Sequence, residues 1–116
     1  MSKIADDVYA VLKELFPQTN ITKEHYIRYK GKQLFFDFYL RGLGILIEVQ
    51  GQQHFNYTKH FHGTVENFRE FKHRDNLKKE YVEENQGLIL VFFCDGTDKI
   101  TKELVLSRIY EAQCNG

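Results

Sequence analysis

Two short apolar runs in this chain each carry a single carboxylate. Asp37 lies within FFDFYL and Glu48 within ILIEVQ, and the turn RGLG separates the two runs. A carboxylate inside a run that should be buried costs free energy unless a cation or a hydrogen-bond donor compensates it. If the runs form neighbouring strands, both acids can lie on one face and share a cation. Hard divalent ions such as Mg²⁺ prefer oxygen ligands, so the pair predicts half of a divalent-metal site.

Each acid also has a simpler interpretation, as a residue on the solvent side of an amphipathic strand. The phenylalanines on both sides of Asp37 fit that alternation, whereas Glu48 lies between Ile47 and Val49 in a run with little polar alternation. A bound divalent cation polarises a phosphoryl oxygen and lowers the pKa of a bound water. The metal interpretation therefore predicts hydrolysis of a phosphate ester.

Gln50 and His54 follow closely behind Glu48. Gln50 is two residues further along the strand and shares its face, where a neutral amide could orient a water or a phosphate oxygen. By itself, it could equally be an ordinary polar strand end. His54 opens the next segment and could act as a general acid or base near neutral pH, or as a metal ligand.

Further histidines follow His54, at His60, His62 and His73. A zinc-stabilised loop through His54, His60 and His62 is therefore an alternative. However, the chain has no cysteine pair at zinc-ligand spacing. Each of these histidines other than His54 is predicted to be an ordinary surface residue.

The segment HRDNLKKEY carries the remaining candidate residues. Asp75 and Lys78 or Lys79 lie three and four residues apart, which places them together on a helix. Arg74, Lys78 and Lys79 could hold a phosphodiester backbone while Asp75 faces the site, although a solvated charged helix face shows the same pattern. Glu14, late in a first helix, is a weaker candidate.

Hydrophobic periodicity predicts the elements that would position these residues. Apolar residues recur at helical spacing over about residues 3–16. Two β-rich runs surround a Gly31-Lys32 turn, and ILIEVQ follows the RGLG turn, which predicts three strands in an antiparallel meander. Residues 51–63 show no clear period and are predicted to form a loop.

The second half of the chain predicts a helix, a strand and a helix. A helical pattern runs from Thr64 to about Asn85, with Gly87 as its C-cap. LILVFFC is continuously apolar, which is typical of a strand buried on both faces and paired in parallel through a crossover helix. Asp98 or Thr101 then begins a last helix. The predicted order is α-β-β-β-α-β-α, an α/β layer architecture.

The composition limits the classes of function that fit this chain. At 116 residues the chain is predicted to be one domain, residues 1–116, with 42% hydrophobic residues, 16 basic and 16 acidic residues. The zero net charge counts mildly against a nucleic-acid binder, although acids at a metal site can mask a basic rim. Two cysteines and no apolar segment of membrane-spanning length predict a soluble, cytoplasmic protein without membrane partners.

The string FFDFYL…ILIEVQGQQHF…HRDNLKKEYVEENQGLILVFF resembles the PD-(D/E)XK nuclease superfamily. It is most similar to the branch with the very-short-patch repair endonucleases and the phage-type homing endonucleases that carry an E-D-x-H-D motif. The resemblance covers about residues 4–94. It implies a restriction-endonuclease-like αβββαβ(α) core, in which a mixed central sheet is flanked by helices.

The resemblance also implies roles. Asp37 matches the metal-binding strand Asp, and Glu48 matches the acid of the (D/E)xK element, whose Lys is replaced here by Gln50. His54 and Asp75 match the His and final Asp of E-D-x-H-D, and Glu14 is the candidate for its first Glu. The loss of the positive charge at position 50 is a departure that His54, as general base, could offset.

The expectation is a Mg²⁺-dependent DNA endonuclease, with Mn²⁺ as a possible substitute. Phosphate contacts give affinity without sequence choice. Specificity would then come from a fused DNA-binding module, from a homodimer or from an unusual DNA structure. The alternative is a catalytically inactive nucleic-acid-binding or protein-interaction domain that keeps the nuclease fold.

Overall fold

The protein is an α/β structure in which a four-stranded mixed sheet is flanked by helices, seen here in a computed structural model that describes residues 2–51 and 63–115. The elements of the described part are α1 (Lys3–Leu15), β1 (Ile21–Tyr29), β2 (Lys32–Leu40), β3 (Ile45–Gln50), α2 (Val65–Glu84), β4 (Ile89–Cys94) and α3 (Lys102–Asn115). Their order is the one that periodicity predicts.

The sheet has the strand order β1-β2-β3-β4. Strands β1, β2 and β3 form an antiparallel meander, in which Phe38 lies opposite Ile47. Strand β4 pairs in parallel with β3, with Glu48 beside Phe92. The parallel pairing requires a crossover, which contains α2. Both the predicted meander and the predicted parallel pairing are confirmed.

Helices α1 and α3 cover one face of the sheet with an apolar core. Val8 and Leu12 of α1 and Val105 of α3 are fully buried against strand residues such as Phe93. The same cluster includes strand residues of β2, β3 and β4, namely Phe38, Leu40, Ile45, Ile47 and Val91, and Val49 and Ile89 pack against it. This layer supplies most of the apolar burial that stabilises a domain of this size.

Helix α2 lies on the opposite face of the sheet. Its Tyr81 ring packs beside Phe36 of β2, and the Lys79 ammonium lies 5.8 Å from the centre of the Phe92 ring of β4. Of the residues of α2, all of which the structure describes, Leu77 is the one that is buried. The helix is therefore a polar cover on this face.

The alternation of side chains between the two faces of the sheet is interrupted in the middle of the β1–β2 hairpin. Phe38 belongs to the cluster under α1, whereas Phe36, two residues earlier, packs against α2. On β1, the ammonium of Lys23 lies over the ring of Tyr9 of α1, at 4.0 Å. Glu24, which follows Lys23, has a positive φ of 51°. A non-glycine residue in this conformation interrupts the regular alternation of a strand.

The ends of the elements lie close to the predicted positions. Thr64 caps α2 by accepting a hydrogen bond from the Asn67 amide at 3.1 Å, and Thr101, rather than Asp98, caps α3. The cap at the end of α2 is Asn85 and not Gly87. The tight hairpin turn is Lys30-Gly31, where both residues have positive φ, one residue before the predicted position.

Gly44, in the turn that leads into β3, lies in close contact with Gly87, in the turn that leads into β4. A Cβ at this position would lie 2.1 Å from the carbonyl oxygen of Gly87, and its φ is +68°. The Gly44 carbonyl also accepts a hydrogen bond from the Ile89 amide at 2.8 Å. Only glycine fits both requirements.

The prediction that β4 is buried on both faces is wrong. Strand β4 is at an edge of the sheet, and only Val91 and Phe93 are buried, while Leu90 and Phe92 on the α2 side are half-buried. Arg108 donates to the carbonyl of Phe92 at 2.9 Å and so covers part of this edge. Among the described helices, none has the length and apolar character needed to span a membrane.

Candidate functional site

Asp37 and Glu48 are brought together across β2 and β3. They occupy the position that follows the Phe38–Ile47 pair in the antiparallel register. The Glu48 Oε1 accepts a hydrogen bond from the Asp37 amide at 3.0 Å, and the Asp37 Oδ2 accepts one from the Val49 amide at 2.7 Å. Each carboxylate is thus bound to the main chain of the opposite strand, and the two are close enough for the charge of Asp37 to act on Glu48.

The reciprocal bonds explain why the ladder between β2 and β3 stops here. The paired residues end at Phe38 and Ile47, and beyond them a side chain, rather than a carbonyl, accepts the Asp37 amide. Asp37 is also the position at which the hairpin changes faces. Interruptions of this kind are frequent beside active sites, where they redirect a side chain.

Glu48 is buried, with 5% of its surface exposed. Its Oε2 accepts a hydrogen bond from the ammonium of Lys78 at 2.9 Å. Burial raises the pKa of Glu48 to about 7, and the charge of Asp37 acts in the same direction, while Lys78 opposes both. The site therefore concentrates negative charge in a poorly solvated place, which only one lysine of the described residues contacts directly.

Lys78 is a site residue whose position sequence reasoning missed. It was predicted to hold a phosphodiester backbone, with a solvated charged helix face as the alternative. The structure places it against Glu48, with its ammonium 5.5 Å from the centre of the Phe36 ring. The available signal was its spacing, seven residues after Phe71 and three before Tyr81, on the apolar side of the helix. A lysine on that side requires a buried anion, and Glu48 is the one that the strands provide.

Asp75 lies one turn before Lys78 on α2, and both line a cleft of about 220 Å³ beside the start of β2. Arg74 lines the same cleft, and its Nε lies 3.5 Å from Oε1 of Glu70. The structure thus brings Asp75 and Arg74 next to Lys78. Lys79, by contrast, points to Phe92 and a larger groove of about 700 Å³ at the β4 edge.

Gln50 ends β3 and is half-buried on the same side of the sheet as Glu48. Its main chain pairs with β4, because its carbonyl accepts a hydrogen bond from the Asp95 amide at 2.7 Å. His54 lies outside the described residues, as do His60 and His62 of the alternative zinc loop. Within the described part of the chain, no group of three or more His, Cys, Asp or Glu side chains is placed to hold a metal ion.

Glu14 is not brought into contact with the acid pair. It is exposed on α1, which covers the other face of the sheet, and its carboxylate lies 3.4 Å from the ammonium of Lys102. The structure therefore gives Glu14 a surface ion pair at the junction of α1 and α3.

The start of β2 and the end of β1 are tied to α2 by polar contacts that the sequence did not predict. The Tyr29 hydroxyl donates to Glu84 and Glu80, and Lys30 forms an ion pair with Glu80. Lys32 lies 3.0 Å from Glu70. We call these contacts the hairpin latch. The latch holds α2 along the sheet and so fixes the helix that carries Lys78.

A second polar cluster lies at the end of β4. Arg108 makes two hydrogen bonds to Asp98, at 3.1 and 2.9 Å, and Asp98 accepts one from the Cys94 amide at 2.7 Å. The guanidinium of Arg108 lowers the pKa of Asp98. These bonds hold the end of β4 to α3. Because Asp98 is paired there with Arg108, the acid pair under α2 is the candidate site.

Comparison with other proteins adds no family to this geometry. No protein family model matches the chain, no curated protein matches it, and no solved structure matches it. The functional argument therefore depends on the residues themselves.

Proposed function

We propose that this protein is a metal-dependent DNA endonuclease that hydrolyses phosphodiester bonds. The observation that carries the proposal is the meeting of Asp37 and Glu48 across two strands, with the Lys78 ammonium 2.9 Å from the buried acid. Two adjacent carboxylates and a lysine are a set of groups that can hold a cation and an anionic ester in one place. The PD-(D/E)XK resemblance supplies the expectation that the ester is in DNA.

The carboxylate oxygens of Asp37 and Glu48 are the type of ligand that a hard divalent cation prefers. Mg²⁺ is commonly held by one or two carboxylates and takes its remaining ligands from water and substrate phosphate. Asp37 and Glu48 each use oxygens that already accept one hydrogen bond, and a carboxylate can accept several partners. When bound, such a cation would polarise the scissile phosphate and make a bound water more acidic.

Other residues of the chain would contact the DNA or the attacking water. Lys78 would replace the charge that the resemblance locates at position 50, where this chain has Gln50, because its ammonium comes from α2 to the same acid. Gln50 would orient a water, and His54 would accept its proton. Arg74 and Asp75 line the cleft beside Lys78, where the flanking DNA backbone would be held and the histidine oriented.

One observation supports the second candidate, a binding domain without catalysis. Both acids already accept hydrogen bonds from main-chain amides of the opposite strand, at 2.7 and 3.0 Å. These bonds give the acids a structural reason to be there, since they satisfy amides at the end of the ladder. Activity therefore has to be tested separately from folding.

A plasmid nicking assay tests the proposal. Supercoiled DNA is incubated with the protein and Mg²⁺ or Mn²⁺, and with the variants Asp37→Asn and Glu48→Gln. Both amides retain an oxygen that can accept the main-chain bonds, so the fold should survive while the charge is lost. Glu103→Gln, on an exposed position of α3, is the matched control.

We expect wild type and Glu103→Gln to nick the plasmid in the presence of metal. The two site variants should lose at least a hundredfold in rate, the scale expected when an electrostatic contact to the reacting group is removed. Binding of DNA without nicking in either metal would favour the second candidate. Equal nicking by Asp37→Asn and wild type would place the active site elsewhere.

A further inference from the structure

Lys78 occupies a place that a metal ion would also need. Its ammonium lies 2.9 Å from Oε2 of Glu48, and 15% of its side chain and 6% of that of Glu48 are exposed. The other oxygen of Glu48 accepts the Asp37 amide. In this arrangement the buried acid is already paired with a cation that belongs to the chain.

Two cations close to one buried acid repel each other. The repulsion is strong because a poorly solvated site screens charge weakly. A divalent cation bound to Asp37 and Glu48 would therefore meet the positive charge of Lys78 at the same carboxylate. Metal binding therefore becomes more favourable when that ammonium moves away or loses part of its contact with Glu48.

The structure also offers a place for the displaced ammonium. Lys78 lines the cleft of about 220 Å³ that lies between α2 and the start of β2. Its ammonium lies 5.5 Å from the centre of the Phe36 ring, and the flexible four-carbon stem lets the charge move without a change in the backbone. Arg74 and Asp75 line the same cleft. With the displaced ammonium added, these three side chains would bring two positive charges and one negative charge, which favours an anionic group such as a DNA phosphate.

We propose that Lys78 is a resident counter-ion of Glu48 that competes with the divalent metal and is released to the substrate phosphate when the metal binds. The proposal rests on the proposed function, since it concerns the same acid pair. It gives Lys78 two partners in sequence: Glu48 in the metal-free protein, and the phosphate in the loaded site. It also predicts that Lys78 weakens metal binding, which a residue that only supports the metal site would not do.

Titration of the full chain with Mn²⁺ tests the proposal without using activity. Free Mn²⁺ is measured by electron paramagnetic resonance for wild type, Lys78→Met and Lys78→Arg. Methionine keeps most of the apolar stem beside Phe36, and arginine keeps the charge. Lys3→Met is the matched control, because the Lys3 side chain is 90% exposed on α1. A pH above the Glu48 pKa of about 7 keeps proton competition small.

We expect Lys78→Met to bind Mn²⁺ at least tenfold more tightly than wild type. Lys3→Met should match wild type, and Lys78→Arg should not bind more tightly. Unchanged or weaker binding by a folded Lys78→Met would overturn the proposal and show that the lysine supports the acid instead. If Lys78→Met fails to fold, Lys78→Gln replaces it, with the same expected gain and the same contrary result.

The test separates this inference from the proposed function. Wild-type nicking together with an unchanged Mn²⁺ affinity in Lys78→Met removes only the counter-ion role. Absence of Mn²⁺ binding in wild type and in every lysine variant, with no nicking, removes both. Tighter binding with loss of nicking in Lys78→Met supports both.

Discussion

The two faces of the sheet are stabilised in different ways. Under α1 and α3, fully buried apolar residues such as Val8, Leu12 and Phe93 form one continuous cluster. Under α2, the apolar layer is smaller and includes the buried residues Leu34, Phe36 and Leu77. A buried acid, a lysine and the hairpin latch add polar contacts on this face. One face therefore provides most of the folding stability, and the other face can hold charged groups for chemistry.

The difference has a physical basis. Apolar burial contributes roughly 25 cal/mol per Å², whereas exposed ion pairs contribute only about 0.2–1 kcal/mol each and are screened by salt. A helix that buries a single apolar side chain of its own and depends partly on ion pairs opens more easily than helices that bury several. The acid pair therefore lies under the less strongly attached layer.

The largest expected effect comes from the apolar face. Phe93→Ala removes a fully buried ring from the cluster and should lower the free energy of unfolding by about 3–5 kcal/mol. Urea denaturation followed by circular dichroism measures the change. Leu106→Ala, at a residue 47% exposed on α3, should change it by less than about 0.5 kcal/mol. Similar losses in the two variants would contradict the assignment of the core to this face.

The next effect is the pH dependence of the folding stability, which Glu48 should cause. Its pKa is raised from 4.5 to about 7 in the folded chain, so between these values the folded chain keeps a proton that the unfolded chain has released. Stability contributed by this group is present below pH 4.5 and is lost as the pH rises to about 7. The total is of the order of 3 kcal/mol.

Glu48→Gln should remove this dependence. Unfolding free energies of wild type and variant, measured by denaturation at several pH values across this interval, should converge or cross as the pH falls. The variant should show the flatter profile. Parallel profiles would mean that Glu48 titrates normally and is not buried as described.

The hairpin latch should give the smallest effect, and a local one. Tyr29→Phe removes the hydroxyl that donates to Glu80 and Glu84 and should lower the free energy of unfolding by less than either change above. Amide hydrogen exchange should rise along α2 and stay unchanged in α1. Tyr110→Phe, at an exposed tyrosine of α3, is the matched control. An equal rise in both helices would show that α2 is not a separately held layer.

Much of the fold follows from local sequence pattern. The strands and helices, their order, the meander and the parallel pairing were all predicted from periodicity, from glycine turns and from the continuous apolar run of β4. The edge position of β4 was not, because the same run is compatible with a central strand. The change of faces in the hairpin was also missed, since nothing in the pattern marks Glu24 for a positive φ.

The candidate site was predictable in part. Asp37 and Glu48 meet because β2 and β3 pair in one particular register. The short RGLG turn between the strands restricts which registers can form. The contact of Lys78 with Glu48 joins residues thirty positions apart and depends on how α2 crosses the sheet. Local periodicity gives the face of a helix, but the partner of that face is set by tertiary packing.

The central claim is that Asp37 and Glu48 together hold one divalent cation. Crystals soaked in MnCl₂ and measured near the manganese absorption edge test it directly, because anomalous scattering locates the ion without assumptions about activity. We expect one peak within coordination distance of oxygens of both carboxylates, with the Lys78 ammonium moved off Glu48. A peak elsewhere, or none between the two acids with Lys78 still in place, would contradict it.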